Sequence, residues 1–376
     1  MKENCINIGV LFSQSGPMAV SETAHLQGVL LACDEINAGG GVKGQQLNPI
    51  ILDPEGDDRK YSEMATQLLL QYRVHAIFGC CLSSSRKAVL PIVERFNGIL
   101  FYPSVYEGFE YSSNVIYGGA VPNQLIIPLI EYIFKHHGRR IALIGSDTLY
   151  SREINRVVCE FLSESDGYVV SEHYLPFNLT NTAASNIMGL VLNDEVDTIL
   201  STVVGEASIT LYSSYAQIET SSTKPPIASL TTTESELAKM EPSVRAGHLA
   251  VATYFSTLNS SNNLLFVEAF QKKYGSSVQP SVYSETAYSL VQMFAAALAQ
   301  CQEFTSDNVL AAISGSVLKA PKGDIFVDIG TNHMSSRPLI GIANERGQYD
   351  IVWKSEKIIC PDPYLISYTR SLSDGK

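Results

Sequence analysis

Residues 76–102 read AIFGCCLSSSRKAVLPIVERFNGILFY. Ala76–Gly79 is a short apolar run with strand character. The turn that follows, Cys80–Ser85, is rich in thiols and hydroxyls. Ser84–Asn97 has helical spacing, and Ile99–Tyr102 returns to an apolar, strand-like run. Strand, polar turn, helix and strand in that order make a βαβ unit, whose two strands lie parallel in one sheet.

The same alternation extends outward. Before this stretch come strand Ile6–Phe12, helix Ser21–Asn37, strand Leu47–Leu52 and helix Arg59–Tyr72. Gly39-Gly40-Gly41 ends the first of these helices. Beyond it, Val115–Val121 reads as a crossing segment and Asn123 as the cap of a helix running to His137. A second series then follows: strand Ile141–Gly145, helix Arg152–Ser163, strand Tyr168–Tyr174, helix Ala183–Leu192, strand Thr198–Val204, helix Ala207–Ile218 and strand Ile227–Leu230. His248–Phe255 reads as an extended return crossing. Leu264–Tyr274, Ser281–Cys301 and Asp307–Gly315 read as helices. Pro338–Ile342 and Tyr349–Trp353 form a hairpin pattern. The expectation is an α/β protein of two doubly wound, parallel-sheet lobes joined by more than one crossing, with a ligand cleft between them. Residues 1–120 plus 254–330 are assigned to one lobe, and 121–253 plus 331–376 to the other.

Bulk properties bound the function. The 376 residues are 45% hydrophobic and 17% charged, with a net charge of −12. Such a chain builds sizeable cores and lacks the basic surface that tracks phosphates, so no direct nucleic-acid binding is expected. No apolar run is long enough to span a bilayer. Met1–Asn4 lead straight into the first strand without a signal-peptide pattern, which places the protein in the cytoplasm; a removed signal peptide would place it in the periplasm. Seven scattered cysteines, with no CxxC pair, argue against a disulfide framework or a zinc site. No metal or cofactor is expected.

Six loops stand at the carboxyl ends of the strands: Ser13–Gly16, Cys80–Ser85, Tyr102–Glu107, Ser146–Tyr150, Thr202–Glu206 and Thr231–Glu234. Ligands of open α/β sheets bind at that edge. The loops hold hydroxyls, and the nearest cations, Arg86 and Lys87, lie inside a helix. A carboxylate or phosphate would lack a counter-ion there. A neutral amide needs none, since its C=O takes donors and its NH₂ takes acceptors. Gly39-x-Gly41-x-x-Gly44 matches a dinucleotide fingerprint in letters only, because it follows a helix and precedes a strand. Cys80 or Cys81 could act as an activated thiolate at a helix N-terminus, but none of the seven histidines lies in the six loops to serve as base.

Several segments together resemble the AmiC-type amide sensors, the ligand-responsive negative regulators of bacterial aliphatic amidase operons. These are IGVLFSQS (8–15), CCLSSSRKAVLPIVE (80–94), YPSVYEGFEYSSN (102–114), IYGGAVPN (116–123), IGSDTLYSREIN (144–155), STVVG (201–205) and PIASLTTTESELAKM (226–240). The likeness runs from Ile6 to about Tyr364, and is more distant to binding proteins for branched-chain amino acids, urea and short amides. It implies a type I periplasmic-binding-protein fold, a cleft for a small neutral amide or urea, and an AmiR-type RNA-binding antiterminator as partner. A homo-oligomer stays open. Carried over position by position, it implies ligand contacts from Ser83, Tyr102, Ser104, Tyr150 and Thr202, with Gly205, Glu206 and Thr231 in the neighbouring loops. Cys81 and Thr148 replace aromatic residues of the family, which implies a larger or more polar pocket. The rival reading is a periplasmic solute-binding protein of an ABC importer for urea, short amides or amino acids; the chain is not expected to be an enzyme under either reading.

Overall fold

The computed structural model describes residues 5–220 and 223–366. Met1–Asn4, on which the reading of the amino terminus rests, and residues 367–376 lie outside the described residues.

Five strands form the first sheet: β1 (Cys5–Leu11), β2 (Gln46–Leu52), β3 (Ile77–Gly79), β4 (Leu100–Tyr102) and β5 (Val115–Tyr117). Their order is β2-β1-β3-β4-β5, every neighbouring pair parallel. Helices α1 (Ala19–Ala38), α2 (Asp58–Leu70) and α3 (Ser83–Arg95) make the connections. The segment after residue 114 is therefore a strand and not a bare crossing. Its three residues are fully apolar or aromatic, and all are buried against β4.

The chain continues through α4 (Pro122–His136), β6 (Arg140–Ser146), α5 (Leu149–Glu164), β7 (Tyr168–Leu175), α6 (Asn181–Asn193), β8 (Thr198–Thr202), α7 (Glu206–Gln217) and β9 (Ile227–Ser229). Two four-residue helices, α8 (Glu234–Leu237) and α9 (Pro242–Arg245), precede β10 (Leu249–Ala252). Asn123 does not cap α4. Val121 holds that position, its N–H donating to the Gln124 side chain at 3.0 Å, while the Asn123 amide donates to the Cys360 carbonyl at 2.9 Å. Pro122, which lacks an N–H, fits the first helical position and shifts the cap back by two residues.

Helices α10 (Ser261–Tyr274), α11 (Val282–Gln300) and α12 (Ser306–Ile313) follow, then the hairpin β11 (Val317–Ala320) and β12 (Gly323–Phe326). Finally β13 (Leu339–Ala343) and β14 (Tyr349–Lys354) pair antiparallel, as the alternating pattern predicts. The second sheet runs β14-β13-β10-β9-β8-β6-β7. The segment read as a return crossing contributes β10, paired parallel to β9 and antiparallel to β13.

Two compact units result. One comprises Met1–Tyr106, Glu110–Ala120 and Leu258–Ser336; the other comprises Glu107–Phe109, Val121–Thr257 and Arg337–Lys376. In the first, α1 and α11 cover one face of the sheet, over a core that includes Val10, Phe78, Phe101 and Phe294. Phe78 stacks on Phe101 at 4.6 Å, and Phe294 meets both rings edge-on. In the second, the five parallel strands β7-β6-β8-β9-β10 repeat the 2-1-3-4-5 order of the first sheet, extended by an antiparallel hairpin. That order reverses direction between its first and third strands, and the crevice at this switch point is where such sheets take ligands.

Candidate functional site

In the first unit the switch point lies between β1 and β3, so the loops after residues 11 and 79 flank it. Ser13 follows β1, and its chemistry is fully engaged within the unit. Its N–H donates to Glu22 Oε2 at 2.6 Å, and its hydroxyl accepts the Gly56 N–H at 2.8 Å and lies 3.1 Å from the Tyr61 hydroxyl. Tyr61 in turn donates to Glu22. Burial pushes the Glu22 carboxyl up to about 7, against the opposing pull of the Tyr61 and Ser13 donors.

The loop after β3 begins with Cys80 at φ 70°, a left-handed conformation unusual for a residue with a side chain. Its thiol is buried and held well above the usual range, first by desolvation. That is the opposite of an activated thiolate. Cys81 is buried, and its carbonyl accepts the Tyr102 hydroxyl at 2.7 Å. The serines after it do not cap α3, which starts without a side-chain cap. The Ser83 hydroxyl accepts from Arg86 Nη1 at 3.5 Å, Ser84 donates to Asp58 Oδ1 at 3.2 Å, and Ser85 donates back to the Leu82 carbonyl at 2.8 Å.

Tyr102 is buried, with the Arg86 guanidinium over its ring at 4.9 Å and over the Tyr106 ring at 4.5 Å. Arg86 also bonds Glu110, Nε to Oε1 at 2.7 Å, and Lys87 reaches Glu110 Oε2 at 3.0 Å. Burial would raise the Glu110 carboxyl, but these two cations outweigh it and hold the carboxyl below its usual value. Ser104 follows β4, its hydroxyl 3.1 Å from His25 Nε2 and 3.4 Å from the Cys80 carbonyl. Gly119, in the loop after β5, permits this arrangement: a Cβ there would sit 1.8 Å from the Ser104 carbonyl oxygen. No sequence spacing marks His25. It lies on α1, and only the fold brings it to the loop that carries Ser104. The structure thus gathers Cys81, Ser83, Tyr102 and Ser104 on one edge of one sheet.

The second unit repeats the arrangement between β6 and β8. Ser146 Oγ accepts the Val204 N–H at 3.1 Å, and Ser151 donates to the Thr202 carbonyl at 2.9 Å. Thr148 is the N-cap of α5, accepting the Ser151 N–H at 3.2 Å. Tyr150 is buried, its hydroxyl pushed up by desolvation and then by Glu107. Thr202 Oγ1 is buried without a hydrogen-bond partner. A buried hydroxyl in that state needs a reason. Gly205 (φ 60°, ψ −143°) adopts a conformation open only to glycine and starts α7, while Glu206 is exposed. Thr231 follows β9 and donates to the Val203 carbonyl at 2.8 Å. Thr148, Tyr150, Thr202, Gly205, Glu206 and Thr231 therefore share the carboxyl edge of the second sheet. Arg152, the cation nearest these loops in sequence, is paired with Asp147 at 2.8 Å.

A cavity of about 200 Å³ also exists in the first unit, lined by Leu69, His75, Phe96, Phe304 and Val309 among others. These residues stand at the amino ends of β3 and β4, the edge opposite the loops just described. Among the described residues, no group of three or more His, Cys, Asp or Glu side chains could hold a metal ion. No helix among them is long and apolar enough to cross a membrane.

Two α/β units, each with a switch point lined by hydroxyl-bearing loops, define the class to which comparison adds a family. The chain belongs to the family described as periplasmic binding protein domain, which matches residues 6–370. Among curated proteins it is 25% identical over 347 residues to Leu/Ile/Val-binding protein homolog 7 of Brucella abortus, covering 84% of this chain and 82% of that one. A shorter stretch of 120 residues is 32% identical to limonene hydroxylase of Geobacillus stearothermophilus; this match spans 32% of this chain and 22% of that protein's length. Among solved structures, LivJ of Streptococcus pneumoniae, in complex with isoleucine, superposes with a TM-score of 0.82 at 18% identity, covering 95% of this chain and 100% of the other. An ABC-transporter solute-binding protein of Rhodopseudomonas palustris BisB5, in complex with 3,4-dihydroxybenzoic acid, superposes with a TM-score of 0.86 at 16% identity, covering 95% and 99%. At those identities the structural likeness concerns the fold.

Proposed function

We propose that this protein binds a small, neutral, polar molecule, a short-chain amide or urea, at hydroxyl-bearing carboxyl-edge loops of the kind each unit presents, without turning it over. One observation carries the reading. The loops present hydroxyls and helix N-termini, and the nearby cations are engaged by carboxylates: Arg86 and Lys87 by Glu110, Arg152 by Asp147. A ligand carboxylate would find no ready counter-ion, whereas an amide needs only donors for its oxygen and acceptors for its nitrogen. In this reading Ser83 and the start of α3 hold the ligand carbonyl. On the first unit Ser104 offers an acceptor for its nitrogen and Tyr102 braces the Cys81 carbonyl; on the second, Tyr150 and the unpartnered Thr202 hydroxyl offer the same kind of polar groups. Cys81 and Thr148, smaller than the family's aromatics, leave room for an alkyl chain, and Gly205, Glu206 and Thr231 shape the second loop set.

Absence of turnover is part of the proposal. The Cys80 thiol is buried and unactivated, and His25 is a poor base because burial pulls it down to about 3. Two uses of the bound state follow. The solved structures named above support delivery to an ABC importer in the periplasm. The segments YEGFEYS (106–112) and PPIASLTT (225–232) support the other use, cytoplasmic sensing of amide with control of an AmiR-type antiterminator.

Calorimetry with acetamide, propionamide, butyramide and urea, beside isoleucine and 4-hydroxybenzoate, tests the ligand class. Saturable binding of at least one amide or urea, tighter than either carboxylate, is expected. No heat from any amide or from urea at millimolar concentration would sink the reading.

A further inference from the structure

The arrangement of His25 and Ser104 fixes where one proton sits. The His25 ring is buried and clamped, stacked on Phe12 at 5.1 Å and on Tyr283 at 4.6 Å. Its Nδ1 lies 3.0 Å from the Ser21 carbonyl oxygen. A carbonyl oxygen only accepts, so Nδ1 carries the hydrogen. Burial keeps the ring neutral, its pKa lowered to about 3, so Nε2 holds a lone pair. Ser104 Oγ stands 3.1 Å from that lone pair, and the Ser104 hydroxyl must therefore donate to it. The other neighbour of this hydroxyl, the Cys80 carbonyl at 3.4 Å, is also an acceptor only. A hydroxyl has one hydrogen, and both of these partners compete for it.

We propose that His25 is a positioning residue that sets the polarity of the candidate site: it takes the Ser104 hydroxyl hydrogen, so Ser104 meets a ligand only as an acceptor, and the ligand must present an N–H or O–H there. This rests on the reading that the loop after β4 contacts the ligand. It goes beyond that reading by assigning a direction to one hydrogen bond and a role to a helix residue outside the loops. A ligand that offers only a carbonyl at this point leaves two acceptors facing each other. Sites built to hydrogen-bond a ligand donor reject analogues that lack it far more strongly than they reject a missing methylene.

Two measurements test the proposal separately. The first is the ¹⁵N spectrum of the His25 imidazole in the unliganded protein. It is expected to show a protonated Nδ1 and an unprotonated, hydrogen-bonded Nε2. The Nε2 resonance should move in Ser104→Ala and return in Ser104→Thr, which restores the hydroxyl. A protonated Nε2, or a resonance indifferent to Ser104→Ala, overturns the proposal without reference to any ligand. The second is binding of propionamide against butanone, which replaces the NH₂ by a methyl group of similar size, and of isoleucine against 3-methyl-2-oxopentanoate. Whichever pair binds, the donor-bearing member is expected to be favoured by tenfold or more. Ser104→Ala should abolish that preference, and His25→Phe should shrink it by releasing the hydroxyl hydrogen. Equal affinities within a pair that binds would overturn the polarity assignment. If neither pair binds, the imidazole spectrum alone decides the state of Ser104, and the ligand-binding reading is decided by the calorimetry with the other amides and urea.

Discussion

Glu22 shows how the candidate site is held at the scale of one side chain. It lies on the first turn of α1, buried, and collects the Ser13 N–H and the Tyr61 hydroxyl on one oxygen. Those bonds tie the loop after β1 to α2, which carries Tyr61. The carboxyl titrates near 4.5 in an open environment and near 7 here. Below about pH 4.5 both the folded and unfolded chains hold the proton, and the contribution to stability is full. As pH rises toward 7 the unfolded chain ionises first, so stability is lost, by up to roughly 3 kcal/mol once both have ionised. Glu22→Gln keeps an acceptor but cannot ionise. Melting temperatures of the two proteins, compared from about pH 4 to about pH 8, should show the variant gaining on the parent as pH rises. A difference that stays flat over that range would show that Glu22 is not held near 7. Nothing in the sequence distinguishes Glu22 from a surface acid of an amphipathic helix. Its role, like that of His25 one turn on, exists only once α1 has packed beside β1.

At the scale of elements, the repeated strand–helix period is legible because most strands and helices are long enough to show it. The positions of β1, β2, β6 and β7 and of the long helices follow from apolar spacing within a few residues. The hairpin β13–β14 follows from alternation around Asn344–Gln348. Short strands are legible where they fall inside the strand–helix alternation, as β3, β4 and β9 do. No helix separates β5 from β4 and only two four-residue helices precede β10, so these two buried segments look like connections. β11 and β12 have one buried residue each and no pattern at all. Some helix starts, those of α2, α5 and α6 among them, depend on single side chains, and there substitution has a defined cost. Thr148 is such a side chain: it accepts the Ser151 N–H at 3.2 Å, so its hydroxyl is committed to the N-cap of α5. Thr148→Ala should lower the stability of the protein by about 1 kcal/mol, and Thr148→Ser should restore most of it. Chemical denaturation measures both. No loss in the alanine variant would mean that this hydroxyl does not serve α5.

For the molecule as a whole, two sheets carry the same 2-1-3-4-5 strand order without visible sequence repetition. Topology and hydroxyl-bearing loops recur while the residues that build them differ, so one physical rule acts twice: the crevice forms where the strand order reverses. The hydroxyl-rich character of the six loops is readable from residue types alone. The long-range hydrogen bonds that hold them are not, because partners lie far apart in the chain, 43 positions for Ser13 and Gly56 and 79 for His25 and Ser104. The proposed function places the small neutral ligand at these carboxyl-edge loops and not in the cavity at the opposite edge of the first sheet. Titrating propionamide into ¹⁵N-labelled protein while following the backbone amide resonances tests this most directly. Saturable shifts concentrated in 80–85, 102–107, 146–150 and 202–206 are expected. Shifts confined to residues around Leu69, His75, Phe96 and Phe304, or none at all at saturating amide, would contradict the proposed function.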